Sequence, residues 1–232
     1  MKKVKILFFC FFSTQLNGQP YHLDDRLREK HLGSHVDKKF QNRVASPTEW
    51  LHTREDLLRQ VMPQNAIVAE IGVQRGGFAI EILNLTHPRK IFLIDCWEEQ
   101  DVRVYSEIHD PQEIQHRNYE YVIQRFCSDE RVSIIKSFSV PAALLFDNEF
   151  FDWVYIDANH AYEAVKADLE AWWPKIKKGG FIAGHDYIIR DDSCARFGVI
   201  CAVNEFVEKY GLRIDYLTNE LYASFVIQKP RG

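Results

Sequence analysis

Between residues 66 and 184, short apolar runs alternate with stretches of helical period, and that alternation leaves few folds open. The runs 66–71, 90–95, 132–136, 151–157 and 181–184 are four to seven residues long and rich in Ile, Val, Leu and Phe. Segments 78–85 and 113–126 read as helices between them. The clearest helix follows residue 160, where Val165, Leu169, Trp172 and Ile176 recur at four, seven and eleven residues. That spacing gives one buried face with charges between, and Gly179-Gly180 ends it. Strands joined by helices of this length form a parallel sheet covered on both faces. Segment 199–210 is again helical. The runs 212–217 and 221–227 then follow with no helix between them, which predicts a closing antiparallel hairpin around Thr218-Asn219-Glu220. The expectation is an α/β fold with a mostly parallel seven-stranded sheet and a terminal antiparallel hairpin.

A chain of 232 residues at 46% hydrophobic suits one core more than several. Its 29 basic and 33 acidic residues leave a net charge of −4. That balance argues against a protein that tracks nucleic-acid phosphates. No apolar run approaches the roughly 20 residues of a membrane-spanning helix. Residues 46–232 are expected to form the folded domain, entered by a helix from Ser46-Pro47-Thr48-Glu49 to about Val61, before Pro63. Residues 20–45 read as a polar extension. In residues 1–19, Lys2, Lys3 and Lys5 precede the apolar run 6–12 and a polar stretch, the order of a secretory signal. A short strand or a docked arm gives the same pattern. The five cysteines, at 10, 96, 127, 194 and 201, contain no Cys-x-x-Cys pair and read as reduced thiols.

Chemistry concentrates where the strands should end. Glu70-Ile71-Gly72-Val73-Gln74-Arg75-Gly76-Gly77 falls where the first run turns into a helix, and ligands of such sheets bind at the carboxyl ends of strands. Asp95 closes the second run, 23 residues after Gly72, where a carboxylate accepts ribose hydroxyls. A dinucleotide fingerprint would need glycine at Gln74, which counts against a nicotinamide oxidoreductase. Asp157-Ala158-Asn159-His160 follows the fourth run and His185-Asp186 the fifth, so both should emerge at one edge. Charges are costly to desolvate, and a divalent cation gives their convergence a reason. Asp157 and Asp186 offer oxygens and His185 a nitrogen to Mg²⁺ or Mn²⁺, which would acidify an acceptor hydroxyl. His160 would take the proton.

The acidic-x-Gly-x-x-x-Gly pattern, with Asp95 and the terminal hairpin, resembles the class I S-adenosylmethionine-dependent methyltransferases. The run 151–187, FDWVYIDANHAYEAVKADLEAWWPKIKKGGFIAGHDY, is similar to their small-molecule branch, with its Ile-Asp-x-x-His and Gly-His-Asp-Tyr motifs. Metal-dependent sugar O-methyltransferases belong to the same broad group. The resemblance covers about 51–229 and implies a Rossmann-like class I methyltransferase fold. It implies that Glu70, Gly72 and Gly76 shape the methionine and ribose pocket, that Asp95 binds the ribose and that Trp97 lies near the adenine. The family often carries an acid just after the third strand, to contact the adenine amine; this chain has Ser137-Phe138-Ser139 there, and Ser139 would help at that end. The implied cofactors are S-adenosyl-L-methionine and Mg²⁺ or another divalent cation. The implied reaction is O-methylation of a small polar acceptor, a sugar or hydroxy compound, in the cytoplasm, or in the secretory pathway if residues 1–19 are a cleaved signal. A methyltransferase-fold scaffold without catalysis is the alternative from another class. The insert 96–130, with Trp97, Tyr105, His109, His116, Arg117, Tyr119 and Tyr121, reads as a lid or acceptor wall, and Arg190-Asp191-Asp192 as a second lid. The N-terminal arm would suit a homo-oligomer contact.

Overall fold

A computed structural model describes residues 46–101, 110–190 and 197–232. The expected signal-like segment and polar extension, Tyr105, His109, Asp191, Asp192, Cys10 and Cys194 lie outside the described residues. The elements run β1 (Glu49–Leu51), α1 (Arg54–Gln60), β2 (Ile67–Ile71), α2 (Gly77–Thr86), β3 (Lys90–Asp95), α3 (Gln112–Phe126) and β4 (Val132–Lys136). They continue with α4 (Ser139–Ala143), β5 (Phe151–Ile156), α5 (Tyr162–Trp172), β6 (Ile176–Gly184), α6 (Val199–Lys209), β7 (Tyr216–Thr218) and β8 (Phe225–Gln228). The strands form one sheet in the order β1-β7-β8-β6-β5-β2-β3-β4. Every pairing is parallel except the two made by β8, which lies between β6 and β7.

The sheet thus has eight strands, one more than the seven expected. Glu49–Leu51 pairs with β7, with Glu49 opposite Tyr216 and Leu51 opposite Thr218, where the sequence suggested the start of a helix. Trp50 is exposed and Leu51 is buried. The helix starts later because Thr53 is its cap: its Oγ1 accepts from the Asp56 N–H at 3.2 Å. Ile176 also departs from expectation. Helix α5 ends at Trp172, a 3₁₀ turn holds Trp173–Lys175, and Ile176 opens β6 opposite Phe151. Pro174 lacks an N–H for a continuing helix, so the chain turns there. The last two strands are shorter than predicted, and Leu221 stands exposed on the turn between them.

Alternation along the strands makes two cores. In β5, Phe151, Val154 and Ile156 pack with α5 and α6, burying Leu169, Trp172 and Phe206. Trp153 and Tyr155 point the other way, toward Leu57, Ile82 and Val122 of α1, α2 and α3. From β2 the chain moves outward to β3 and β4, then returns to the other side of β2 as β5. The carboxyl ends of β2 and β5 therefore flank a switch point, where crevices open in such sheets.

Candidate active site

Glycine 72 makes the crevice possible. It follows β2 at φ +87°, and a Cβ there would lie 1.9 Å from the Asp157 carbonyl oxygen. Only glycine lets the turn press against the end of β5. The turn is held from below by Asp95, whose Oδ2 accepts from the N–H groups of Val73 and Gln74 at 2.8 and 2.9 Å. Its Oδ1 accepts from the Trp97 N–H at 2.8 Å. Above them opens a cleft of about 670 Å³, reached by Glu70, Gly72, Asp95, Ser139, Asp157 and His160.

Glu70 stands at the cleft with 2% of its surface exposed, and its Oε2 has no hydrogen-bond partner among the described residues. Burial, together with the charges of Asp157 and Asp95, pushes its carboxyl well above the usual range. Gly76 is off the cleft wall. It caps α2 at φ +71°, where a Cβ would meet the Phe126 ring at 2.7 Å. Trp97 is also behind the wall: it is fully buried, packs on Tyr119 at 4.8 Å between ring centroids, and donates from Nε1 to the Gln74 carbonyl at 2.9 Å. It buttresses the turn instead of reaching toward a nucleobase. Cys96 borders the cleft, but burial pushes its thiol up to about 11, so it is no nucleophile at neutral pH.

At the far end, Ser139 reaches the cleft with its hydroxyl engaged. Trp172 Nε1 donates to Ser139 Oγ at 2.9 Å, and Ser139 in turn hydrogen-bonds the Asp168 carboxyl. Asp168, 4% exposed, shares that wall and is a residue the sequence reading passed over as a charge between apolar positions. The signal was there: 168 lies three residues after Val165 and four before Trp172, on the apolar face. Of the described residues of the insert 96–130, Cys96, Glu98, Gln100, Asp110 and Gln115 line the cleft, while α3 buries Val122 and Phe126 and leaves His116 in an exposed pair with Glu120.

The strand-end motifs do meet. His160 Nε2 lies 3.0 Å from Asp186 Oδ2 and 3.4 Å from Asp157 Oδ1. His185 Nδ1 lies 3.0 Å from Asp186 Oδ2 and 3.6 Å from Asp157 Oδ2. Asp186 reaches this position at φ +57°, a left-handed conformation that Asp tolerates better than most. Burial raises the Asp186 carboxyl, but hydrogen bonds from His160 and His185 outweigh it and hold it well below the usual range. Burial likewise disfavours a charged His185, yet the hydrogen bond with Asp186 and the Asp157 charge keep its pKa above the usual histidine value. Donor atoms of Asp157, His160 and Asp186 gather within 4.8 Å of one another, a mixed oxygen and nitrogen set that fits a divalent cation.

A sequence profile for the family described as a methyltransferase domain matches residues 69–187, which spans the turn, Asp95 and both strand-end motifs. No curated protein matches the chain at a significant level. Among solved structures, Aeropyrum pernix fibrillarin with natively bound S-adenosyl-L-methionine is 12% identical at a TM-score of 0.51, covering 75% of this chain and 73% of that one. The N-methyltransferase NodS of Bradyrhizobium japonicum is 16% identical at 0.51, covering 77% and 94%. An O-methyltransferase family protein of Burkholderia thailandensis is 13% identical at 0.53, covering 77% and 56%. These likenesses are of fold. No helix of the described residues is long and apolar enough to cross a membrane.

Proposed function

The chain belongs to the methyltransferase-domain family, and from that premise we propose that it O-methylates a small hydroxylated acceptor, with S-adenosyl-L-methionine as donor and a divalent cation at the acceptor site. The observation that carries the reading is the contact of the Gly72 turn with the end of β5, which brings the cleft up against the Asp157 cluster.

The cleft residues fit the donor. Glu70 supplies a buried oxygen in need of a partner, matching an amino group, and the turn offers a cradle that a Cβ at 72 would fill. Asp95 spends one lone pair of Oδ1 and two contacts of Oδ2 on the backbone, which leaves Oδ1 able to accept from a ribose hydroxyl. Bound S-adenosylmethionine supplies an electrophilic methyl group on its sulfonium. Asp157, Asp186 and His160 would hold the cation, which supplies a Lewis acid that lowers the pKa of an acceptor hydroxyl.

This assignment exchanges the histidine roles expected from sequence. His185, in contact with both carboxylates, takes the acceptor proton. Positioning is the larger contribution of the chain, because holding two reactants in line removes an entropic part of the barrier.

The test is calorimetric titration of S-adenosylmethionine with Mg²⁺ and again with EDTA, followed by methyl transfer to a panel of sugars and hydroxy acids. Micromolar binding that survives EDTA and disappears in Asp95→Ala is expected, and no binding in any condition overturns the reading. Titration with Mn²⁺ separates the histidines. His160→Gln should weaken Mn²⁺ binding by at least about tenfold, while His185→Gln should leave it within a few-fold and slow transfer.

A further inference from the structure

Among the described residues two arginines, Arg54 and Arg75, line a cleft whose other charged groups are mostly carboxylates. Arg75 lies over the ring of Tyr121 on α3, 5.5 Å from its centroid. Arg54, the first residue of α1, lies over the Phe78 ring at 4.6 Å, and Phe78 packs on Tyr155 at 4.4 Å. The Tyr155 hydroxyl hydrogen-bonds the Arg54 side chain and also Ser224 Oγ. The ion pair that the described residues give Arg54 is a long one, Nε to Glu55 Oε1 at 3.9 Å. A guanidinium held by a ring on one face keeps N–H donors at its edge, in the planar fork that matches a carboxylate with two parallel hydrogen bonds.

Placement says whose carboxylate comes there. Tyr155, which holds Arg54, stands two residues before Asp157 at the end of β5. The Arg54 charge reaches Glu70 and His185 and opposes the protonation of each. The turn between β7 and β8 is tied to α1 by Glu220, whose Oε2 accepts from the Arg54 backbone N–H at 2.8 Å. The same turn brings Tyr222 to His185, with ring centroids 6.4 Å apart. Arg54 and Tyr222 therefore flank the imidazole assigned to the acceptor proton.

We propose that Arg54 seats a carboxylate of the acceptor, so that the molecule methylated is a small hydroxy acid with its hydroxyl at the Asp157 cluster. The proposal rests on the methyltransferase reading above and deepens it by naming the substrate class. In the transfer the hydroxyl O–H bond breaks with its proton going to His185, an O–CH₃ bond forms, and the S–CH₃ bond breaks to leave S-adenosylhomocysteine. A neutral sugar would leave the guanidinium without an anion, whereas an acid satisfies the fork and fixes the direction of its hydroxyl.

The experiment fills the cofactor site with S-adenosylhomocysteine and then titrates glycolate, glycerate, salicylate and glucuronate, each beside its amide, by calorimetry with Mg²⁺. The wild type is expected to bind at least one acid about tenfold or more tightly than its amide, the size of a charge-assisted hydrogen bond. Arg54→Gln should reduce that preference to within about threefold while the affinity for S-adenosylhomocysteine stays within about threefold. Circular dichroism checks that the variant folds, and Arg54→Met, which keeps an unbranched stem against Phe78, replaces it if it does not. No preference for any acid in the wild type overturns the proposal. A folded variant that keeps the full preference also overturns it, because the cation and not the guanidinium then holds the acid. So does a variant that loses S-adenosylhomocysteine affinity at unchanged acid preference, since Arg54 then serves the carboxylate of the cofactor. Failure of the wild type to bind S-adenosylhomocysteine overturns the cofactor reading instead.

Discussion

A Cβ on Gly72 has no place to go, since the atom it meets is a backbone oxygen at the end of a central strand. Gly72→Ala is therefore expected to destabilise the protein by about 3 kcal/mol or more, read from urea unfolding. Gly77 shows the contrast: a Cβ there meets nothing within 4 Å, so the same change should cost little. Asp95 holds the turn besides the ribose contact proposed for it, and its loss should show both. Asp95→Ala leaves the N–H groups of Val73, Gln74 and Trp97 without their acceptor, a cost of about 1–3 kcal/mol on top of lost cofactor binding. In the strand-end cluster the charges set a pH window for metal-free protein. The raised pKa of His185 gives stability that is complete below its ordinary value of 6.5 and lost as pH rises through the folded value. The lowered pKa of Asp186 gives stability present above its ordinary value of 3.8 and lost as pH falls through the folded value. Thermal unfolding in EDTA should thus decline on both sides of this window, and His185→Gln should lessen the decline on the alkaline side. These residues were legible as a group because each follows an apolar run. Their partners were not, since hydrogen bonds among Asp157, His160, His185 and Asp186 depend on angstrom-scale placement.

Helix α5 shows how far periodicity carries at the scale of an element. Val165, Leu169 and Trp172 form the buried stripe that their spacing predicts, and Leu169→Ala should cost about 2–5 kcal/mol in chemical denaturation. The pattern overran at Ile176 because an apolar residue eleven positions on suits either a helix or the next strand, and Pro174 decides for the strand. It also passed over Asp168, because a period marks which face is buried without saying what a polar residue on that face is for. Strand β1 was missed for a related reason. Three residues are too few to carry a readable period, and the pairing that makes them a strand comes from β7, more than 160 residues away in sequence.

At the scale of the whole molecule, the described residues form one sheet with a core on each face, and the same strands serve both. Phe151 and Val154 anchor one layer while Trp153 and Tyr155 anchor the other, so neither layer can open without pulling strands from its neighbour. Unfolding followed by far-UV circular dichroism and by tryptophan fluorescence should give coincident transitions, whereas separate midpoints would mean that the layers unfold independently. The alternation of apolar runs with helical stretches was enough to determine the fold class and the parallel sheet, because local period and crossover length are properties of the chain itself. It also placed Gly72, Asp95, Asp157 and Asp186 at one edge, since strand ends are local. Tertiary structure alone decided that Trp97 turns away from the cleft, that Asp168 borders it, and that both imidazoles share the same carboxylates. Each of these depends on side chains from distant segments meeting across the sheet, and no pattern within a segment records which way a neighbouring element will present its face.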